Sequence, residues 1–151
     1  MNKIEKIVVG VSSLLMSIVL IRFSISKLAG WEVSVNAFIE MAKPLSINPT
    51  FFRLITGVQI SILCLSYMAT ALYTLFMGKK YFFSPLSYYK LSVFANTFGF
   101  ITMVGALLAE FFLRIQPKWP LVYIAIGIIF FSILNAYIIN RKANQSIVVT
   151  Q

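Results

Sequence analysis

The sequence predicts an all-α integral membrane protein, a four-helix bundle with a short interfacial helix between helices one and two. Sixty per cent of its 151 residues are hydrophobic and 11 per cent are charged, so a soluble domain would lack the polar surface to cover its core. The mean hydropathy is +0.89. The apolar residues also gather in four segments, each near the roughly 20 residues that a helix needs to cross a bilayer. We therefore expect the whole chain, 1–151, to be a single membrane domain in contact with lipid.

The four apolar segments predict spanning helices over about 7–28, 52–77, 91–113 and 120–139. Segments of this length fit helices, because the strands of a membrane barrel are shorter and alternate in polarity. The first segment follows a basic start, as in a signal peptide. No small-residue cleavage site follows it, and Arg22 and Lys27 interrupt the region where such a site would lie. We therefore expect the first segment to be a retained helix.

The connection at 29–51 predicts the interfacial helix. Its apolar residues recur at helical spacing, which is typical of an amphipathic helix that lies along a membrane surface: Trp31, Val35, Phe38, Ile39 and Ala42. Pro44 and Pro49 are expected to end this helix and to lead into the second span. The connection at 78–90 is basic and aromatic, and the one at 114–120 is a tight turn that contains Pro117 and Pro120.

The basic residues indicate the orientation. Four spans place both termini on one side, which collects seven cations against five on the other side. Cytoplasmic loops carry the excess of Lys and Arg, so the termini are expected in the cytoplasm and the protein in the inner, cytoplasmic membrane. The seven are Lys3, Lys6, Lys79, Lys80, Lys90, Arg141 and Lys142.

The composition disfavours several kinds of chemistry. The chain has no His, no Asp, four Glu and a single cysteine, Cys64, so the usual ligands of metals and most acid–base groups are missing. No disulfide can form within one chain. The net charge of +9 is spread in twos and threes between apolar segments, which indicates contact with anionic headgroups rather than with nucleic acid. We expect no catalytic residues and no metal site.

A small polar cluster is predicted in the outer half of the bundle. Lys27 lies at the end of helix one, and Arg22 lies about 7 Å deeper at 1.5 Å per residue. Gln59 of helix two and Glu110 of helix three fall in the same half, so Glu110 is the natural counter-ion of Arg22. Three interpretations stay open. The cations anchor helix one by reaching headgroups, Arg22 and Glu110 tie helices together, or the cluster recognises a ligand such as a quinone headgroup.

Helix three carries a stripe of small or polar residues that should face the bundle interior. Its members are Ser92, Asn96, Gly99, Met103, Ala106 and Glu110. Asn96 is a candidate either for an interhelical hydrogen bond or for the site itself.

Short motifs resemble the DoxX-like family of small four-helix membrane proteins. They are "RFSISKL" at the end of helix one, "LITGVQI" near the start of helix two, and "MVGALLAEFF" near the end of helix three. The resemblance covers about residues 10–140. In this sequence Gln59 stands where the family more often has an acid, and the glycine common shortly before the Lys-Leu pair is absent. The resemblance implies a four-helix membrane protein related to a subunit of a thiosulfate–quinone oxidoreductase, with relatives linked to redox homeostasis, enzyme maturation and chaperoning.

Three functions follow from these observations as alternatives. The first is a non-catalytic subunit or assembly factor of a membrane complex, acting with a membrane-protein partner or as a homo-oligomer. The second is a quinone-linked oxidoreductase subunit, in which Arg22 and Gln59 hydrogen-bond a quinone carbonyl and a partner supplies the electrons. The third is a small transporter that uses Glu110.

Overall fold

The protein is a bundle of helices in which four are long and apolar enough to cross a membrane. The structure, a computed structural model, describes residues 3–76 and 85–148. These residues form five helices: α1 (Lys3–Leu28), α2 (Glu32–Ala42), α3 (Pro49–Phe76), α4 (Pro85–Phe112) and α5 (Trp119–Val148). The helices of spanning length are α1, α3, α4 and α5, so the predicted all-helical, multi-pass architecture is confirmed at this level. The remaining helix, α2, has 11 residues and lies in the chain between α1 and α3.

The helices extend beyond the apolar segments that predicted them. The third predicted span corresponds to α4, which begins at Pro85 rather than near Leu91. The fourth corresponds to α5, which continues to Val148 rather than ending near Ile139. Hydropathy marks the part of a helix that suits hydrocarbon, whereas the hydrogen-bonded helix itself can continue into polar flanking residues. The predicted end of the second span, which corresponds to α3, is Met77. This residue and the first part of the connection at 78–90 lie outside the described residues.

Two compact turns place α2 across one end of the bundle. The first helix ends in a Schellman motif, in which Gly30 adopts φ = 69° and the N–H of Trp31 donates to the carbonyl of Ser26 at 3.0 Å. The second helix ends similarly: Ser46 adopts φ = 53°, and the N–H of Ile47 donates to the carbonyl of Ala42 at 3.4 Å. Two left-handed residues therefore turn the chain back on itself within a short segment.

The start of α3 is fixed by its own sequence. The side-chain oxygen of Asn48 accepts the N–H groups of Thr50 and Phe51 at 2.9 and 3.1 Å, which is the geometry of an N-cap. Pro49 occupies the first helical position, where its missing N–H costs nothing. The guanidinium of Arg53 then donates to the carbonyl of Lys27, which ties the start of α3 to the end of α1.

The four long helices pack as two pairs. The first pair is α1 with α3 and the second is α4 with α5, and contacts of α3 with α4 and of α1 with α5 join them, while α2 packs mainly on α3. Close approach depends on small residues, since a Cβ at Gly57 would lie 2.8 Å from the side chain of Leu28. A Cβ at Gly99 would overlap the hydroxyl group of Tyr67. The core at the meeting point is built around Tyr67, Leu20 and Leu63.

Several buried polar groups in the bundle interior are hydrogen-bonded to one another, although Ser92 Oγ and Asn96 Oδ1 have no partner among the described residues. The hydroxyl of Ser12 donates to the side-chain oxygen of Asn135 at 2.9 Å, and Tyr67 and Ser132 share a hydrogen bond of 2.7 Å. These bonds link α1, α3 and α5 at a depth where unpaired polar groups are costly. They belong to the packing of the bundle and lie apart from the candidate site described next.

Candidate functional site

A cavity of about 480 Å³ lies between the helices at the end of the bundle that carries α2. All five helices and the α4–α5 connection contribute to its wall. Its size is within the range of about 300–1,000 Å³ that is usual for ligand cavities. Most of the wall is apolar, with Leu20, Phe23, Met103, Leu107, Ile124 and Ile128 among its residues. The charged residues of the wall come from the last turns of α1 and α4 and from the α4–α5 connection: Lys27, Glu110, Arg114 and Lys118. We refer to this space as the amphipathic cavity.

One side of the polar end is formed by a carboxylate–guanidinium cluster. Nη1 of Arg114 donates to both carboxylate oxygens of Glu110, at 2.8 and 3.1 Å. The N–H of Lys118 donates to the same carboxylate at 3.2 Å. Nε of Arg114 lies 3.5 Å from the carboxylate of Glu40 on α2. The side chains of Arg114 and Glu110 are only 4% and 7% exposed, so this is a buried ion pair. Nη1 of Arg114 is hydrogen-bonded, whereas its Nε has no hydrogen-bond partner among the described residues.

Glu40 also fastens α2 to the α4–α5 connection. Its carboxylate accepts the N–H of Ile115 at 2.8 Å. That hydrogen bond, with the nearby positive charges of Arg114 and Lys118, holds the pKa of Glu40 below its usual value, although desolvation acts in the opposite direction. The ionised form of Glu40 is therefore the form that this contact favours.

Lys27 faces the cavity from α1 without a counter-ion of its own. Its ammonium group stands over the rings of Phe23 and Phe38, with Nζ 5.5 and 5.8 Å from the ring centroids, which is cation–π geometry. It makes no hydrogen bond or ion pair with any residue in the part of the chain that the structure describes. Glu110 is near enough to interact with it electrostatically, but Arg114 occupies that carboxylate.

Neutral polar side chains also line the cavity, and two of them, Gln59 and Ser34, stand out by their hydrogen bonding. Gln59 of α3 donates from Nε2 to the hydroxyl of Thr102 on α4 at 3.0 Å, which links the two helix pairs across the cavity. Ser34 of α2 is buried, and its hydroxyl has no hydrogen-bond partner among the described residues. A buried, unpartnered hydroxyl on a cavity wall is suited to receive a polar group of a ligand.

The residues predicted from the sequence separate into two groups. Lys27, Gln59 and Glu110 all lie on the wall of the amphipathic cavity. Arg22 and Asn96 are not on it. Arg22 is exposed on the surface of α1, and Glu110 is bound by Arg114 instead, so of the three interpretations the one in which Arg22 and Glu110 tie helices together is wrong.

Asn96 is almost fully buried, and its amide donates to the carbonyl of Ser92 at 2.7 Å on its own helix. The predicted interior stripe is otherwise found buried, apart from Ala106, which faces the cavity.

The sequence interpretation missed Arg114, Glu40 and Ser34. Arg114 follows Glu110 by four residues, the spacing at which side chains of one helix meet, and this signal was available. Nothing in the spacing of Glu40 and Ser34 predicted their role, because it depends on how α2 folds back over the bundle. Among the described residues, no group of three or more His, Cys, Asp or Glu is placed to hold a metal ion.

Comparisons with known proteins give no assignment: no family model matches the chain, and neither a curated protein nor a solved structure matches it. The cavity and its residues are therefore the basis of the functional argument.

Proposed function

We propose that the chain is a DoxX-like membrane protein that serves as a non-catalytic subunit or assembly factor of a membrane complex and holds a lipid-soluble ligand. Its place would be a cytoplasmic membrane, with both termini on the cytoplasmic side and α2 lying at the opposite interface. The amphipathic cavity is the observation that carries this proposal. The resemblance to DoxX-like proteins adds the association with a membrane complex.

The form of the cavity favours holding a ligand over transforming it. An apolar wall with a few polar groups at one end is the usual design of a site that binds an amphiphilic molecule. The charged pair on its wall, Glu110 with Arg114, is held together by hydrogen bonds, and each carboxylate oxygen of Glu110 accepts at least one. A carboxylate held in this way supports structure more readily than proton transfer.

A quinone-linked subunit is the second candidate, because Lys27 and Gln59 lie on the same cavity wall. The amide of Gln59 has a second N–H besides the one given to Thr102, and the ammonium of Lys27 has free donors. Either could hydrogen-bond a quinone carbonyl, while the ring and tail would occupy the apolar part. A quinone would supply the redox chemistry, and electrons would have to arrive from a partner protein. Arg22, which the sequence suggested for this role, is too exposed to take part.

Native mass spectrometry of the protein extracted in mild detergent tests the proposal, with two glycine variants as a matched pair. Gly105 lines the cavity and Gly127 does not, and an added Cβ would meet nothing within 4 Å at either position. Gly105→Leu should fill part of the cavity and remove a co-purifying ligand mass. Gly127→Leu adds the same volume in a spanning helix and should retain it.

The masses distinguish the candidates. A bound quinone, with a redox protein in the same complex, would select the second candidate. A partner protein and another lipophilic ligand would select the first. A wild-type protein that carries neither a ligand nor a partner, with both variants unchanged, would contradict the proposed function.

A further inference from the structure

The donors at the polar end of the amphipathic cavity are not balanced by acceptors. Lys27 offers an ammonium group with three N–H donors and no acceptor capacity, and this group lies over the rings of Phe23 and Phe38 without a hydrogen bond to any described residue. Cation–π contacts hold the charge in place but use none of its hydrogen bonds. A half-buried ammonium group in this state is suited to bind an anionic oxygen.

The hydroxyl of Ser34 is a further unmatched donor on the cavity wall. Ser34 and Phe38 are four residues apart on α2 and therefore share one face of that helix. Because Nζ of Lys27 lies over the ring of Phe38, the same face brings the Ser34 hydroxyl to the Lys27 end of the cavity. Both residues line the cavity, and the hydroxyl is buried without a partner in the described part of the chain.

The carboxylates nearby do not supply the missing acceptors. Glu110 and Glu40 are both engaged by Arg114 and by backbone N–H groups of the α4–α5 connection. Their negative charge is thus countered by groups other than Lys27. The charge of Lys27 remains available to a molecule in the cavity.

The cavity is long enough along the bundle to take an alkyl chain. Its wall on α4 runs from Ile101 to Glu110, which is about 14 Å at 1.5 Å per residue. On α5 it runs from Leu121 to Ile128, about 10 Å on the same basis. A mostly apolar cavity of this length, with two unmatched hydrogen-bond donors on its wall, fits an alkyl chain with a compact polar head.

From these contacts we infer that the amphipathic cavity binds a single-chain amphiphile with an anionic head. The head lies between the ammonium of Lys27 and the hydroxyl of Ser34, and the chain lies among α1, α4 and α5. This inference rests on the proposed function in that both use the same cavity, but it fixes the class of ligand as a carboxylate or phosphate rather than a neutral quinone.

The test is a comparison of twelve-carbon probes that differ in their heads. The protein is placed in phosphatidylcholine nanodiscs, and its unfolding temperature is followed as dodecanoate, dodecyl phosphate or dodecyltrimethylammonium is added. The two anions should raise the unfolding temperature with saturation, because a ligand of the folded state stabilises it. The cation should not. A stronger effect of dodecanoate points to a fatty acid, and a stronger effect of dodecyl phosphate points to a lipid phosphate.

Variants locate the head of the probe. Lys27→Gln should raise the half-saturating concentration of the anion at least about tenfold, since a charge-assisted hydrogen bond is lost. Lys43→Gln is the matched control, because Lys43 is exposed and does not line the cavity, and it should bind as the wild type does. Ser34→Ala should weaken binding in the same direction but less, which provides a second test if Lys27→Gln folds poorly.

The possible failures can be told apart. Equal stabilisation by the cationic probe would overturn the inference that the ligand has an anionic head. An unchanged affinity of both Lys27→Gln and Ser34→Ala for the anionic probes would overturn it as well. If the anions fail but a neutral quinone co-purifies and is lost in Gly105→Leu, the proposed function stands and the present inference falls. If no probe binds and Gly105→Leu behaves as Gly127→Leu, both are wrong.

Discussion

Replacement of Arg114 by Met should destabilise the bundle more than any change of an exposed cation. The guanidinium of Arg114 donates to both oxygens of Glu110 and lies 3.5 Å from the carboxylate of Glu40. Because the Glu110 side chain is only 7% exposed, water cannot replace the lost partner fully. Methionine keeps much of the apolar stem of arginine, so the change removes mainly the charge and its donors.

The expected loss of unfolding free energy depends on which interactions Glu110 keeps once Arg114 is replaced. Breaking a buried ion pair by removing one partner costs about 3–5 kcal/mol, since a charge is left buried without compensation. Glu110 would keep the N–H of Lys118 and the electrostatic attraction of Lys27, so we expect the lower end, about 3 kcal/mol. Removing the carboxylate too, in Arg114→Met with Glu110→Met, should recover most of this loss, because apolar replacements of both partners are often nearly neutral.

The assay is the free energy of unfolding measured by titration with dodecyl sulfate in mixed micelles, followed by circular dichroism. Lys118→Met is the control, because it removes an exposed cation of the same connection while its backbone N–H stays in place. It should change the free energy by no more than about 0.5 kcal/mol. A loss of less than 1 kcal/mol in Arg114→Met, or a double variant less stable than the single one, would refute the argument.

Three further predictions use the same titration. Gly99→Ala should cost about 1–3 kcal/mol because its Cβ would overlap the Tyr67 hydroxyl, and the same change should cost less in a Tyr67→Phe background, which lacks that hydroxyl; an equal cost in both backgrounds would contradict the clash. Arg22→Leu should change the free energy of unfolding by less than about 0.5 kcal/mol because Arg22 is exposed, whereas an ion pair of Arg22 with Glu110 would make the change costly. A loss comparable to that of Arg114→Met would show that Arg22 does have such a partner. The pKa of Glu40 is lowered in the folded protein, so the stabilisation by its ionised carboxylate is fully present above the ordinary pKa of 4.5 and is lost as the pH falls through the folded-state pKa. The free energies of unfolding of the wild type and of Glu40→Gln should therefore converge on acidification. A constant difference from pH 7 to pH 3 would show that the Glu40 carboxylate is not what stabilises the wild type.

The long helices were predictable because their signal is local. A run of about 20 apolar residues has few stable alternatives to a spanning helix, and the short helix at Glu32–Ala42 was visible in its helical spacing. Both depend only on neighbouring residues. The prediction of an interior stripe on α4 likewise succeeded because residues at spacings of three and four share one face of a helix.

The site was only partly predictable because hydropathy does not fix the rotation of a helix about its axis. In α1 the buried residues include Leu20 and Ser24, and Arg22 lies two positions from each. At 3.6 residues per turn, two positions amount to about 200°, so Arg22 points away from the interior. Depth alone placed Arg22 beside Glu110, whereas the hydrogen bonds of Ser17 and Ser24 mark the face of α1 that packs on α3.

The ion pair of Glu110 shows why the cavity keeps an unmatched lysine. Glu110 and Arg114 are four residues apart, so their contact is made as α4 ends and does not depend on α1 approaching. A long-range partner such as Lys27 has to compete with a cation that is already in place. The carboxylate is therefore satisfied locally, and Lys27 meets instead the rings of Phe23 and Phe38. Since Phe38 and Ser34 come from α2, the short helix decides which polar groups surround the lysine and thus which head the cavity accepts.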